Sequence, residues 1–198
     1  MPIAHGELLA LARQVDIQHR MGMDRFAAGG ADTPTTNLVA DTALAAFAAS
    51  IELALVDAYA IVNRKLAGTA AAPLTRLFAS HHLAHANAFN QLAGATPVSA
   101  ANPNLIRSLG PQLGATPDEL ALLALIYATE NRAAATYQYA LENLTVPATI
   151  TLTASIMPVE CQHAVVLGTL LGKAAKETVP GSYQTKDGYL DPAQYPIA

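Results

Sequence analysis

A shift of 78 positions lays one half of this chain over the other. Glu52 falls on Glu130, Tyr59 on Tyr137 and His85 on His163, while His82 falls on Glu160, the one position in this set where the residue changes. Leu66 with Leu144 and Ala86 with Ala164 keep the same register. Each copy reads Glu, then Tyr seven residues on, then a residue 30 beyond the Glu and His at 33. An internal repeat constrains the fold before any local propensity is weighed. Residues three apart share a helix face, so Glu160 and His163 in Ser155-Ile-Met-Pro-Val-Glu-Cys-Gln-His163 point together into what otherwise reads as a buried helix. A chain that is 52% hydrophobic and 13% charged does not bury a carboxylate without a counter-charge, a hydrogen-bond network or a metal ion. Two helix pairs, each with Glu on one helix and a second ligand pair three apart on the next, describe a dimetal site in the core of a bundle.

At 198 residues the chain is expected to form one domain with a core of its own. The net charge of −4 and the low aromatic content give no basic footprint, so nucleic-acid binding is not expected. The best membrane-span candidate, Ala43 to Val62, carries Glu52 and Asp57 in its middle. Each costs about 2.5–3.5 kcal/mol at a bilayer centre, so no membrane span is predicted. The start, Met-Pro-Ile-Ala-His-Gly-Glu, lacks the basic and apolar regions of a signal peptide. That predicts a cytoplasmic protein, or an exported one if the N-terminus has been processed.

Residues 3–20 place Ile3, Leu8, Leu11, Ala12 and Val15 near one face, predicting a short leading helix that also holds His5 and His19, read as surface residues. The first bundle helix is predicted from Asp41 to Leu66, closed by Gly68, and is apolar around much of its girth, as a core element must be. The second begins near Pro73 and runs to Ala93, with His81, His82 and His85 on it. A turn-rich stretch from Gly94 to Gly114, holding a short helix over Asn104–Leu109, is long enough to cross between two parallel helices. Thr116-Pro-Asp-Glu119 reads as a capping box opening the third helix, which ends near Leu144. The fourth runs from Pro147 to Gly172-Lys173 with Pro158 inside it, where a kink is expected.

The candidate ligands are Glu52, His82, His85, Glu130, Glu160 and His163. His81 is also within helical reach of His85, but the repeat pairs it with Val159 and selects His82; His81 is the rival ligand. Tyr59 and Tyr137, two turns after the leading glutamates, are expected to hydrogen-bond a carboxylate rather than bind metal. Cys161, the one cysteine, reads as a packing residue. The tail, Glu177 to Ala198, has no periodicity and reads as an extended strap, with Tyr183, Tyr189 and Tyr195 packing on the bundle or on a second subunit of a homodimer.

Glu52…His85…Glu130…Glu160-x-x-His163 resembles the ferritin-like dimetal carboxylate superfamily, whose members use Glu, Glu-x-x-His, Glu, Glu-x-x-His. FASHHLAHANAF, IMPVECQHAVVLG and the ending DPAQYPIA are similar to bacterial ferritin-like-domain proteins without a defined reaction, many of them exported. The resemblance covers residues 40–198 and implies an all-α, four-helix bundle with one long crossover. It also implies two metal ions and oxidase, ferroxidase or peroxide-handling chemistry on O2 or peroxide. His82 is the departure, because the superfamily's glutamate at that place bridges the two ions. Glu160 is left as the bridging candidate. Three carboxylates then face +4 for two divalent ions or +6 for two ferric ions. The nitrogen-richer set suits Fe, with Mn and Zn as alternatives. The rival expectation is a non-catalytic stress-protection or binding protein whose metal is structural or absent.

Overall fold

The computed structural model describes residues 37–197 apart from 95, 96 and 180. The leading helix expected over residues 3–20, with His5 and His19, lies outside them. The described residues form six helices and no strand. These are α1 (Leu38–Lys65), α2 (Ala72–Leu92), α3 (Pro103–Ala115), α4 (Glu119–Asn143), α5 (Pro147–Leu170) and the single turn α6 (Ala175–Thr178).

The long helices begin where local chemistry lets them. Asn37 caps α1 through Ala40 N–H, with Asp41 in the first turn and Arg64 and Lys65 in the last, matching the helix dipole at both ends. Pro73 occupies the first turn of α2, and Pro147 opens α5. The start of α4 differs from expectation. Asp118, not Thr116, accepts from Ala121 N–H at 2.8 Å, while the Thr116 hydroxyl turns back to the Gln112 carbonyl at 2.7 Å and finishes α3. α3 is also longer than expected and continues through Pro111. The carbonyl that Pro111 cannot serve belongs to Arg107, an exposed residue. In the same way α5 is one element across Pro158, whose unserved carbonyl belongs to the exposed Ala154.

Contacts between side chains fix the helix directions. Tyr59 meets Glu130 and Tyr137 meets Glu52, so a step forward on α1 is a step back on α4, and the two are antiparallel. His85 lies against Glu160 and His82 near His163, which makes α2 and α5 antiparallel as well. Tyr59 packs on Phe78 and Glu52 lies near His85, so α1 and α2 are antiparallel too. α2 and α4 therefore run the same way, and the chain must travel back between them. α3 makes that crossover along α1: Asn102 N–H donates to the Ser50 carbonyl at one end, and Lys65 donates to the Gly114 and Thr116 carbonyls at the other. Two apolar layers result. One gathers Phe47, Ile51, Leu55, Phe89, Ile156 and Leu190; the other gathers Val62, Leu66, Phe78, Leu122, Ile126 and Leu167. The repeated polar residues lie between them.

By length and composition alone α1 and α5 are apolar enough to cross a membrane, with 67% and 33% of the stretch buried in the bundle, respectively. For α1 the burial accounts for the composition, since a helix enclosed by neighbours is apolar on most sides. The tail packs on α4. Leu190 is wholly buried, with its N–H on Thr136 Oγ1 at 2.9 Å. The Tyr189 ring stacks on Tyr139, and Tyr195 Oη accepts from Arg132 at 3.0 Å. Tyr183 remains exposed.

Candidate metal centre

Glu52 on α1, Glu130 on α4 and Glu160 on α5 are wholly buried, as is His82 on α2. Tyr137 donates to Glu52 Oε1 and Tyr59 donates to Glu130 Oε1. Each tyrosine thus serves the carboxylate of the other half of the repeat. His82 stands between those carboxylates, Nδ1 2.7 Å from Glu52 Oε2 and Nε2 3.1 Å from Glu130 Oε1. His163 Nδ1 lies 3.4 Å from Glu130 Oε2. His85 Nδ1 lies 3.5 Å from Glu52 Oε1 and 2.9 Å from Glu160 Oε1.

Glu160 is the exception among the acids, because neither of its oxygens has a hydrogen-bond partner. The 2.9 Å approach to His85 is not aligned as a hydrogen bond, and His85 Nδ1 is likewise without one. Oε1 faces the Glu52–His85 pair, while Oε2 lies 3.7 Å from His163 Nδ1 on the Glu130 side. Two overlapping quartets result, Glu52–His82–His85–Glu160 and His82–Glu130–Glu160–His163, each with one donor atom per residue within 4.8 Å of the rest. All six sequence-predicted ligand candidates are brought together here. The family model for the ferritin-like domain matches residues 40–173, the span of α1 to α5.

The chain belongs to the ferritin-like domain family. No curated protein and no solved structure matches it.

The residues of this ferritin-like domain suit metal binding. Orphaned, fully buried carboxylate oxygens are costly, and those of Glu160 converge on imidazole nitrogens as ligands of a common ion do. The charges of the cluster shift one another's protonation. Burial opposes ionisation of Glu52 and Glu130, but the charge of His82 outweighs it and holds both below the usual carboxylate range. Burial wins at Glu160, helped by Glu52 and Glu130, and its carboxyl is raised. His82 is raised well above the histidine range because Glu130, Glu160 and Glu52 together outweigh its burial. His163 is raised for the same kind of reason, against burial, by Glu130 and Glu160. His85 is pushed up to about 9, Glu160 and Glu52 outweighing burial. Burial and the adjacent carboxylates hold Tyr59 and Tyr137 well above the usual phenol range, so both are donors.

His81, the rival ligand in the sequence, lies beside the cluster. It belongs to neither quartet, yet its Nδ1 lies 2.9 Å from His163 Nε2. Phe78, one turn earlier, stacks on the His163 ring with centroids 4.0 Å apart. The doublet His81-His82 was the available signal, but the repeat pairs His81 with an apolar residue and so hides it. Cys161 is half-buried, its Sγ 3.6 Å from Gln184 Oε1 in a surface cavity of about 560 Å³ between α4, α5 and the tail.

Proposed function

We propose that this centre binds two metal ions that share Glu160, with Glu52 and His85 on one, Glu130 and His163 on the other, and His82 between them. Support comes from the two partnerless oxygens of Glu160, one turned toward each Glu–His pair. Three carboxylates and three imidazoles suit iron, with manganese or zinc as alternatives. Two redox-active ions held here would supply electrons for the reduction of O2 or peroxide, an oxidase, ferroxidase or peroxidase chemistry. The protein's share is to hold the ligands in a dry cage between two apolar layers and to fix Glu52 and Glu130 through the hydroxyls of Tyr137 and Tyr59. His85, with 12% of its side chain exposed, marks the side from which a small oxidant reaches the cage.

Elemental analysis after anaerobic loading with Fe(II) tests this reading. Two ions per chain are expected, and Glu160→Ala should hold one or none. A mutant with unchanged metal content would remove Glu160 from the site.

One observation favours a second reading, a non-catalytic protein whose metal is structural or absent. His82 already supplies a counter-charge that touches two of the three carboxylates. Under that reading the purified protein consumes no O2 when Fe(II) is added, and its melting temperature does not depend on metal.

A further inference from the structure

We propose that His81 is a positioning residue for the metal ligand His163, and that it makes the two metal positions unequal by strengthening only the one built on Glu130 and His163. This rests on the metal reading above.

The geometry is that of a directed hydrogen bond. His81 Nδ1 and His163 Nε2 are 2.9 Å apart, while the ring centroids are 5.2 Å apart and the planes differ by 16°. Centroids so much farther apart than the nitrogens require the rings to lie edge to edge, with the nitrogens between them. One nitrogen must carry the hydrogen. If His81 donates, His163 Nε2 is the acceptor and a neutral His163 carries its hydrogen on Nδ1, which faces Glu130 and Glu160 and is then closed to an ion. If His163 donates through Nε2–H, its Nδ1 keeps a lone pair directed at those carboxylates. An ion at Nδ1 is compatible only with the second arrangement, and a partner on the far nitrogen then fixes both tautomer and ring direction. The Phe78 ring, stacked at 4.0 Å, holds the plane.

The other half of the site lacks this device. The residue matching His81 in the repeat is Val159, which has no acceptor to offer, and His85 makes no hydrogen bond to any side chain through Nε2 among the described residues. The repeat supplies two metal positions of one plan, and His81 breaks their equivalence.

Stepwise Zn(II) affinities, read by competition with a chromogenic chelator, test the proposal. His81→Leu should weaken one of the two steps about 10- to 100-fold and leave the other unchanged. His81→Asn, whose amide oxygen stands near the place of Nδ1, should recover most of the loss. In a His163→Ala background His81→Leu should have no further effect, whereas in a His85→Ala background it should keep its full effect. If the Leu variant precipitates, His81→Val, the residue the repeat itself uses, carries the same expectation. In the Zn(II)-loaded parent, ¹⁵N spectra should show His163 bound through Nδ1 and protonated at Nε2. Unchanged affinities in His81→Leu, an equal loss in the His163→Ala background, or an Asn variant no better than Leu would overturn the role of His81 alone. A parent that takes up no Zn(II), Fe(II) or Mn(II) would overturn the metal reading, and this one with it.

Discussion

Tyr59 donates its hydroxyl hydrogen to Glu130 on the facing helix, not to Glu52, which lies two turns back on its own. Tyr137 returns the bond to Glu52. The exchange follows from the antiparallel course of α1 and α4, which brings the tyrosine of each opposite the glutamate of the other. Each carboxylate therefore depends on the other half of the chain for a donor. Tyr59→Phe or Tyr137→Phe removes one bond to a buried acid and should cost on the order of 1–3 kcal/mol. In a domain of this size that lowers the melting temperature by about 2–10 °C. Thermal denaturation of the metal-free variants checks this, and a change within 1 °C of zero would contradict it.

The histidines set the pH dependence. His85 has an ordinary value of 6.5 and is raised to about 9 in the fold, so the folded state keeps a proton that the unfolded chain gives up. Its contribution is fully present below pH 6.5 and is lost as pH rises through about 9. At about 1.4 kcal/mol per pH unit it amounts to at most about 3.5 kcal/mol. His82 and His163, also raised, and Glu160, raised from 4.5, act in the same sense. Glu52 and Glu130, both lowered from 4.5, act at the other end, and their contribution is lost as pH falls through their folded values. Metal-free protein should therefore melt at a lower temperature at pH 9 than at pH 6.5.

Metal reverses that trend. An ion at His85 must displace its proton, so metal binding should release protons near neutrality and apparent affinity should rise with pH up to about 9. Calorimetric titration of Zn(II) in buffers of different ionisation enthalpy measures the protons released. A count of zero at pH 7 would show that His85 and His163 are not ligands.

His82→Glu rebuilds the superfamily's ligand set at the one altered position of the repeat. It removes the cation between Glu52 and Glu130 and adds a fourth buried acid. The metal-free variant should melt lower than the parent, and saturating metal should raise its melting temperature by more. With a second carboxylate bridge available, stopped-flow Fe(II) oxidation should be faster than in the parent. His82→Ala should weaken metal binding without that gain.

Gly168 marks a close approach outside the centre. A Cβ there would stand 2.4 Å from Thr178 Cγ2 and 3.1 Å from Tyr127 Cε2, so α6 must move away from α5. Gly168→Ala should destabilise by about 1–2 kcal/mol and speed amide exchange in residues 175–179, with the metal centre unaffected.

The buried Glu/His cluster was legible because a repeat with a fixed offset marks residues that fall at matching places in the fold, whatever their local propensity. All six predicted positions, Glu52 to His163, converge. The crosswise tyrosine bonds were not legible, since spacing assigns Tyr59 to the helix of Glu52 and only tertiary pairing hands it to Glu130. The start of α4 was misread because Thr116 and Asp118 both suit a cap, and the choice falls on whichever side-chain oxygen the preceding helix does not already use. α3 was read short because Gly110 and Pro111 commonly end helices, whereas here the carbonyl left unserved by Pro111 belongs to an exposed residue, Arg107. The tail shows no pattern because single anchors, Leu190 and Tyr195, hold it in place of a repeating face.

Leu190 has a bearing on how the protein is made. It lies in the same apolar layer as Ile51, Leu55 and Tyr137, so the core that seals one side of the polar cage stays open until residue 190 has left the ribosome. Synthesis runs from the N-terminus, and the last bundle helix, α5, ends at Leu170, ahead of that plug. A bundle that ends before residue 190 therefore keeps this apolar layer open on one side of the polar cluster.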